Sequence, residues 1–200
     1  MVTVSVALDI SDALLLRVEN KYGEQAALRL QQWQQLMQSA KKLPEPEKLK
    51  AVNDFFNQRI DFVDDMQVWG MVDYWATPLE LLIKGKGDCE DYSVAKYFTL
   101  KELGVPEQKM RITYVKAVEL NQAHMVLTYF VEPQVVPVVL DNLIAAIKPA
   151  TARSDLLPVY SFNGIGLWLA KARGRGKHVG DSTGLDLWSE LKQRMLESVY

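Results

Sequence analysis

Apolar residues recur at helical spacing along the first third of the chain. Between residues 11 and 40 they return every three or four positions, which predicts an amphipathic helix with Ser11 or Asp12 as its N-cap. The prolines of KKLPEPEKL then interrupt the pattern, because proline lacks the amide proton that a helix interior needs. A second helix is predicted over about residues 49–60, with its apolar side chains on one side.

The middle of the chain combines capping residues with helix breakers. Thr77 followed by Pro78 predicts the start of a short helix, since threonine caps helices and proline is tolerated at the first helical position. The glycines Gly85 and Gly87 end that helix. Asp88 is then the predicted N-cap of a longer helix that continues to about residue 103.

Beyond residue 106 the pattern changes to that of β-strands. Valine, threonine and tyrosine become frequent between turn residues, which is typical of an antiparallel sheet. Strands are predicted over residues 111–118, 124–132, 135–140, 157–162 and 166–169, followed by a closing helix over 185–196. This order predicts an α+β fold. We expect one domain over residues 1–200, with a mainly helical lobe at 1–68 and the longer helix, the sheet and the closing helix at 69–200.

The composition excludes several classes of protein. With 48% hydrophobic and 24% charged residues, the 200-residue chain has the make-up of a globular domain rather than a disordered one. A formal net charge of −2 gives no reason to expect nucleic acid or an anionic membrane as a partner. The single cysteine cannot form an intramolecular disulfide. No apolar run reaches the roughly 20 residues that cross a bilayer. The first residues lack the features of a secretory signal, so we expect that the chain is made without one or has lost it.

One cysteine, one histidine and one aspartate stand in positions suited to nucleophilic catalysis. Cys89 follows the predicted cap Asp88, and the exposed amides of a helix N-terminus favour a thiolate. His124 opens an apolar strand, a rigid support for a general base, whereas His178 lies in a glycine-rich basic stretch. Asp141 ends the next strand, so a hairpin would bring it to the same rim of the sheet. A buried cysteine, a structural histidine and a turn-forming aspartate would give the same pattern, and spacing alone leaves both readings open.

Several separated motifs carry a family resemblance. The runs WATPLE and GKGDCEDYSVAKY, with AHMVLTY and VLD downstream, resemble the bacterial transglutaminase-like cysteine proteinases, in particular the LapG type of periplasmic adhesin protease. The resemblance implies a papain-like core, in which a helix-borne cysteine packs against an antiparallel sheet that carries histidine and aspartate. It implies Cys89 as the nucleophile, His124 as the base and Asp141 as the acid that orients the base.

Acidic residues flank the candidate nucleophile. Asp88, Glu90 and Asp91 would oppose formation of a thiolate at Cys89 unless their charge is compensated. Asp88 alone would be an ordinary helix cap, but three carboxylates are more than a cap needs. A calcium ion could compensate them, because it accepts several oxygen ligands in irregular geometry, although the spacing is not that of an EF-hand. The family resemblance implies a calcium ion with five ligands, namely Asp88, Glu90, Asp91, Asp73 and the carbonyl of Trp75.

The sequence gives less information about which groups donate to an oxyanion hole. The main-chain amide of Cys89 is one candidate, since it lies at the predicted helix N-terminus. By analogy with transglutaminase-like enzymes, the indole of Trp75 or Trp69 is a second candidate. Packing in the core is the alternative reading for both tryptophans.

The stretch KARGRGKH, residues 171–178, is the cationic cluster of the chain. It is interpreted as a mobile, solvated loop, and the alternative is a loop that docks a partner or the edge of the substrate. In neither reading does it supply a residue that the chemical step needs.

Three hypotheses about function fit these residues. The first is hydrolysis of a peptide bond, and the second is acyl transfer to an amine by a transglutaminase-like reaction, because both pass through a thioester on cysteine. The third is a binding module that kept the fold and lost the chemistry. An intact set of Cys89, His124 and Asp141 argues against the binding module. The likeness around TPLE and GKGDCEDY favours the hydrolase over the acyl transferase.

The LapG-type resemblance also implies a substrate, a partner and a location. The substrate would be a large cell-surface adhesin, cut near its N-terminus at a small-residue, Ala-Ala-like site, so that cells leave a biofilm. The partner would be the periplasmic domain of an inner-membrane cyclic-di-GMP receptor, with no nucleotide site on this chain, and the location would be the periplasm. The sequence does not identify the adhesin, the substrate groove, the receptor-binding residues or the oligomeric state.

Overall fold

The structure, a computed structural model, describes residues 10–169 and 176–197. The helices in these residues are α1 Asp12–Tyr22, α2 Glu24–Ala40, α3 Glu45–Arg59, α4 Asp65–Val68, α5 Pro78–Lys84, α6 Cys89–Glu102 and α7 Asp186–Glu197. The strands are β1 Asp61–Phe62, β2 Lys86–Gly87, β3 Met110–Ala117, β4 Gln122–Tyr129, β5 Val138–Leu140, β6 Lys148–Pro149, β7 Leu156–Phe162, β8 Leu167–Leu169 and β9 Lys177–Gly180. Helices dominate the first half and strands the second, which confirms the predicted α+β class.

The helix predicted over residues 11–40 is two helices. Gly23 separates α1 from α2 with φ at 89°, a backbone conformation that glycine adopts without steric cost. Apolar periodicity continues on both sides of this break, and so the pattern concealed it. Helix α3 begins earlier than predicted, because Pro46 falls in the first turn, where a missing amide proton costs no helical hydrogen bond.

Two glycines shape the connection between α5 and α6. Thr77 and Glu80 form a reciprocal capping box at the start of α5, and Gly85 ends that helix in the left-handed conformation with φ at 68°. At Gly87 a Cβ atom would lie 2.4 Å from the Asp91 carboxylate and 2.6 Å from a methyl of Leu81. Only glycine therefore lets β2 run so close to the first turn of α6.

Seven strands form one antiparallel sheet in the order β6-β5-β4-β3-β7-β8-β9. Its central pair, β3 and β4, aligns over eight positions, from Met110 opposite Tyr129 to Ala117 opposite Gln122. The short strands β1 and β2 pair separately and run parallel. Among the described residues, no helix has the length and apolar content needed to span a bilayer.

Helix α6 lies at the centre of the molecule. Every position from Asp91 to Tyr97 is buried, so this part of the helix lacks the solvent-facing stripe of an amphipathic helix. It packs against α3 and α5 on the helical side and against β4 of the sheet. The indole of Trp33 in α2 donates to the Thr99 hydroxyl over 3.0 Å, which ties α2 to the same helix. This packing places the N-terminus of α6 next to the sheet.

Two predictions about the second half of the chain differ from the structure. The strand predicted over residues 135–140 shortens to β5, because its first half enters a turn in which the Val135 amide donates to the Glu132 carbonyl. His178 was assigned to a basic loop, and this was wrong: it lies in β9, opposite Trp168, and its ring meets the indole edge-on. The loop reading of residues 171–175 falls outside the described residues.

Candidate active site and acidic cluster

Cys89 is the first residue of α6 and is partly buried beside a cavity of about 680 Å³. His124 from β4 lines the same cavity, and so does Trp75 from the segment before α5. Tyr114 and Tyr160 add an aromatic wall, with ring centroids 5.1 Å apart and planes only 6° from parallel. The structure thus brings the predicted nucleophile and the predicted base to one cavity that has room for an extended substrate.

The pairing of β4 with β5 brings Asp141 to His124. Leu127 lies opposite Leu140, so the register continues to place Asp141 opposite Val126. Residues opposite each other, and residues two apart on one strand, project from the same face of a sheet. His124 and Asp141 are therefore diagonal neighbours on one face, as the hairpin prediction requires.

The two side chains form a buried hydrogen bond. Nε2 of His124 lies 2.8 Å from Oδ1 of Asp141, and the residues are only 3% and 1% exposed. Burial acts to raise the pKa of Asp141, but bonds from His124, Arg153 and the Leu143 amide outweigh it and lower the pKa to about 2. Since an ionised carboxylate can only accept, Nε2 of His124 carries the proton. Nδ1 is then the nitrogen left to act as a base.

Arg153 occupies the second oxygen of the Asp141 carboxylate. Its Nη2 donates to Oδ2 over 2.7 Å, while Oδ1 accepts from His124 and, over 3.1 Å, from the amide of Leu143. The guanidinium is 2% exposed and also pairs with Asp155 at 2.7 Å. The sequence analysis missed Arg153, because nothing in the spacing of a lone arginine after β6 links it to Asp141.

Two more residues hold the main chain of Asp141. The carbonyl of Asp141 accepts from Nδ2 of Asn57 in α3 over 2.8 Å and from Nζ of Lys96 in α6 over 3.1 Å. Lys96 also donates to Oδ1 of Asn57 over 2.8 Å and is 1% exposed. The sequence analysis did not identify Lys96. A lysine inside the apolar stretch SVAKYF is the signal that could have indicated it, because lysine is almost never fully buried without partners.

The thiol of Cys89 is bonded on the acidic side of the cavity. It donates to the Glu90 carboxylate over 2.9 Å. Burial, the charge of Glu90 with this hydrogen bond, and the charge of Asp88 all raise the pKa of the thiol, against a smaller opposing effect of the Met125 amide. The charge repulsion expected from the sequence is therefore present in the structure.

The carboxylates around Cys89 form three overlapping groups. Within each group, one ligand atom per residue lies within 4.8 Å of the others. The groups are Asp65, Asp88 and Asp91; Asp65, Asp73 and Glu90; and Asp88, Cys89 and Glu90. The structure thus brings together the four predicted carboxylates and adds Asp65, the first residue of α4. Asp65 was missed, because it lies more than twenty positions before Asp88 and in no recognisable motif.

Buried carboxylate oxygens in these groups lack partners. Oδ1 of Asp65 and Oδ1 of Asp88 are both buried without a hydrogen bond. Burial, opposed by the Tyr74 amide and reinforced by the charge of Glu90, raises the pKa of Asp65 to about 6. Burial and the charge of Glu90 raise the pKa of Asp88 further. Unpartnered buried oxygens beside like charges fit a hard cation with several oxygen ligands, and calcium is such an ion.

Asp91 and the carbonyl of Trp75, both predicted metal ligands, connect separate segments of the chain. Asp91 accepts from the Ala76 amide over 2.7 Å and from the Asp88 amide over 3.3 Å, so it fastens the segment before α5 to the start of α6. The carbonyl of Trp75 accepts from the guanidinium of Arg194 in α7. Trp75 lies in none of the acidic groups as they are defined by side-chain atoms, and its role as a ligand stays a prediction.

A family comparison covers this whole region. The model of the bacterial transglutaminase-like cysteine proteinases matches residues 20–156, more than half of the chain, and spans Cys89, His124, Asp141 and the acidic groups. The chain belongs to this family. It is therefore a cysteine protease with a transglutaminase-like fold, which confirms the family and the enzyme class expected from the motifs.

Solved structures of LapG from Legionella pneumophila are similar to this proteinase over nearly its whole length. EGTA-treated LapG is 44% identical with a TM-score of 0.81, and the match covers 93% of this chain and 98% of that one. Calcium-bound LapG is 43% identical with a TM-score of 0.78, and the match covers 93% and 99% of the two chains. Among curated proteins, no significant match to this chain was found.

The two tryptophans considered as oxyanion donors occupy different places in the proteinase. Trp75 lines the cavity, and its indole bonds to the Asp73 carboxylate, which opposes the rise that burial causes in the pKa of Asp73. Trp69 instead packs on Tyr74, with ring centroids 4.5 Å apart, and its indole nitrogen is buried without a hydrogen bond. The main-chain amide of Cys89, at the first position of α6, has no helical acceptor and stays the first candidate.

Proposed function

We propose that the proteinase is a calcium-dependent endopeptidase in which Cys89 is the nucleophile, His124 the base and Asp141 the residue that orients the base. The observation that carries this proposal is the buried bond between His124 and an ionised Asp141, at the cavity that Cys89 also lines. This bond leaves Nδ1 of His124 free to accept a proton. Cys89 is the one residue of the chain with a thiol.

The chemistry follows from these positions. Nδ1 of His124 takes the thiol proton of Cys89, and the sulfur attacks the carbonyl carbon of the scissile peptide bond. The amide of Cys89 donates to the oxyanion that forms. His124 then returns the proton to the leaving amine, which departs and leaves a thioester. Water, deprotonated by His124, hydrolyses the thioester, so that an acid and the free thiol are formed. Asp141 keeps Nε2 protonated throughout.

Asp65, Asp88, Glu90 and Asp73 are the residues that would hold calcium, with Asp91 supporting the first turn of α6. Bound there, the ion would supply positive charge beside the nucleophile. A Glu90 carboxylate that serves as a ligand is a poorer acceptor for the Cys89 thiol, so the thiol is released toward His124. The existence of EGTA-treated and calcium-bound forms of the similar LapG supports calcium as the ion, and the choice of these residues rests on the acidic groups of this chain.

The LapG-type motifs support a further proposal about biology. The substrate is a large surface adhesin, cut near its N-terminus at a pair of small residues, and the cut releases cells from a biofilm. The proteinase acts in the periplasm, where the periplasmic domain of a cyclic-di-GMP receptor binds and restrains it. The identity of 44% to LapG over nearly the full chain is the support for carrying over these expectations.

A cleavage assay tests the proposal. An adhesin N-terminal fragment is incubated with the proteinase in calcium, in excess EGTA, and in EGTA followed by excess calcium, with Cys89→Ala as the control. We expect cleavage in calcium, none in EGTA and full recovery on re-addition. Cleavage that persists in EGTA, or in Cys89→Ala, would contradict the proposal. Incorporation of an added primary amine without cleavage would favour the acyl transferase.

A further inference from the structure

Asp141 is held at all three of its oxygen atoms. The His124 ring and the Leu143 amide occupy Oδ1, Arg153 occupies Oδ2, and the side chains of Asn57 and Lys96 occupy the main-chain carbonyl. The triad mechanism uses only the bond to His124. The remaining partners are absent from that mechanism, and two of them are buried cations.

We propose that Arg153 and Lys96 are positioning residues, which clamp Asp141 at its carboxylate and at its main-chain carbonyl and thereby fix the direction of His124. The inference rests on the triad proposed above and deepens it. Asp141 lies between Arg153 and the imidazole. Lys96 bonds to Asn57 and to the main-chain carbonyl of Asp141. Both side chains therefore act on His124 only through Asp141.

Arg153 prevents the carboxylate from turning. A carboxylate bonded only at Oδ1 could rotate about its Cβ–Cγ bond, whereas a second bond at Oδ2 fixes its plane and the line along which it accepts from Nε2. Asp155 holds the guanidinium from the outer side, with Nε donating over 3.0 Å and Nη2 over 2.7 Å. The orientation of the arginine is therefore set before it meets Asp141.

Lys96 links helix α6, which begins at Cys89, to the main chain of Asp141. It lies on α6 two turns beyond Cys89, on the same helix, and its ammonium bonds to the carbonyl that follows β5. Burial is unfavourable for the charged form of this group. It therefore lowers the pKa of Lys96 to about 7, in spite of the nearby charges of Asp141 and Asp54. An apolar side chain of equal size would pack at this position without that cost, so stability alone does not account for a lysine here.

The test compares Arg153→Met and Lys96→Met with the matched control Arg111→Met, the same substitution at a sheet arginine that lies over the rings of Phe130 and Trp168 and makes no bond to Asp141. The first readout is the downfield NMR resonance of the His124 Nε2 proton in the resting enzyme. Asp141→Asn assigns this resonance. Because no substrate is present, the readout does not depend on whether the proposed peptidase activity is correct.

We expect the resonance to move or disappear in Arg153→Met and to stay in Arg111→Met. In the cleavage assay, kcat should fall by about 100-fold in Arg153→Met, the order of loss that small misplacements of a catalytic group cause, with KM unchanged. Lys96→Met should lower kcat by a smaller factor while the midpoint of urea unfolding stays level or rises.

Three outcomes would overturn the proposal. One is a folded Arg153→Met with wild-type kcat and an unmoved resonance. Another is a loss of kcat in Arg111→Met equal to that in Arg153→Met, which would mark a general effect of removing a sheet arginine. If Arg153→Met does not fold, Arg153→Lys is used, which keeps the charge and one donor. It should retain the resonance with an intermediate kcat, and loss of both would again contradict the positioning role.

Discussion

The cavity has a sheet side, which carries His124 and Asp141, and a helix side, which carries Cys89 and the acidic groups. The two sides differ in how many of their buried carboxylate oxygens are hydrogen-bonded. On the sheet side, all three oxygen atoms of Asp141 are bonded, and its pKa is held at about 2 against the effect of burial. On the helix side, buried oxygens of Asp65 and Asp88 have no partner. There burial and the charge of neighbouring carboxylates raise the pKa of Asp65 and of Asp88. The folded chain thus bonds every oxygen of Asp141, whereas the carboxylates of Asp65 and Asp88 have the features of a site that a cation completes.

Under the proposed function, this difference accounts for a cysteine nucleophile at an acidic helix terminus. His124 and Asp141 are held by hydrogen bonds to residues outside the acidic groups, so we expect their geometry to be the same with and without a metal. Cys89, in contrast, bonds to Glu90 rather than standing free. We therefore assign the calcium dependence to Cys89 on the helix side. We predict that calcium leaves the hydrogen bond between His124 and Asp141 on the sheet side unchanged.

The largest expected effect is loss of the triad. Cys89→Ala should abolish cleavage, while His124→Ala and Asp141→Ala should reduce kcat by about 10⁴-fold, in the range known for triads. His178→Ala is the matched control, since His178 lies on β9 and contacts Trp168. Its kcat should be close to that of the wild type. Circular dichroism checks that each variant is folded, and an essential His178 with a dispensable His124 would refute the triad.

Removal of calcium should have the next largest effect. A ligand that binds only the folded state at 100 times its dissociation constant adds about 2.7 kcal/mol to the free energy of unfolding. We therefore expect excess EGTA to lower the melting temperature of the wild type. Asp65→Asn should remove most of this response, since Asp65 belongs to two of the three acidic groups.

The control for Asp65→Asn is Asp54→Asn, which removes the same charge from a surface pair with Lys50. Its response to calcium should match that of the wild type. Equal calcium responses in Asp65→Asn and Asp54→Asn would remove Asp65 from the metal site. The measurement is differential scanning calorimetry of each variant with calcium and with EGTA.

Low pH should reduce the contribution of Asp141 to the free energy of unfolding over a defined pH range. The pKa of Asp141 is about 2 in the folded protein, against an ordinary value of 3.8. Its ionised form thus stabilises the fold above about pH 4, by about 2 kcal/mol, and this contribution is lost as the pH falls toward 2. Urea unfolding of wild type and Asp141→Asn should show a difference in stability that narrows over this range. A constant difference would contradict the low pKa.

The smallest expected effect comes from a helix cap beside the acidic groups. Thr77→Ala removes the capping box of α5 and should cost about 1 kcal/mol in the free energy of unfolding. Ser11→Ala removes the cap of α1, which lies away from the site, at a similar cost. Only Thr77→Ala should also weaken calcium binding, because Ala76 anchors Asp91. Equal calcium affinities would show that the cap and the site are independent.

Local signals in the sequence were sufficient for the elements that carry the triad. Thr77 and Asp88 marked helix starts, and alternation marked the strands that hold His124 and precede Asp141. These features depend on a few adjacent residues. The break at Gly23 was hidden, because a glycine between two helices in phase leaves the apolar period unchanged.

The residues that support the site were not predictable in the same way. Asp65, Arg153 and Asn57 reach the site from α4, from the segment before β7 and from α3. Their roles depend on how distant elements pack, and a single sequence carries no record of that packing. Lys96 was missed as well, although a lysine in an otherwise apolar helix segment is a local sign of buried partners.

The central claim is that the acidic side of the cavity binds the calcium on which the nucleophile depends. Calorimetric titration of calcium into metal-free protein, wild type beside Asp88→Asn, tests it most directly. The account predicts binding of calcium by the wild type and a large loss of affinity in Asp88→Asn, with Cys89 unchanged. Equal affinity in the two proteins, or no binding by the wild type, would contradict it.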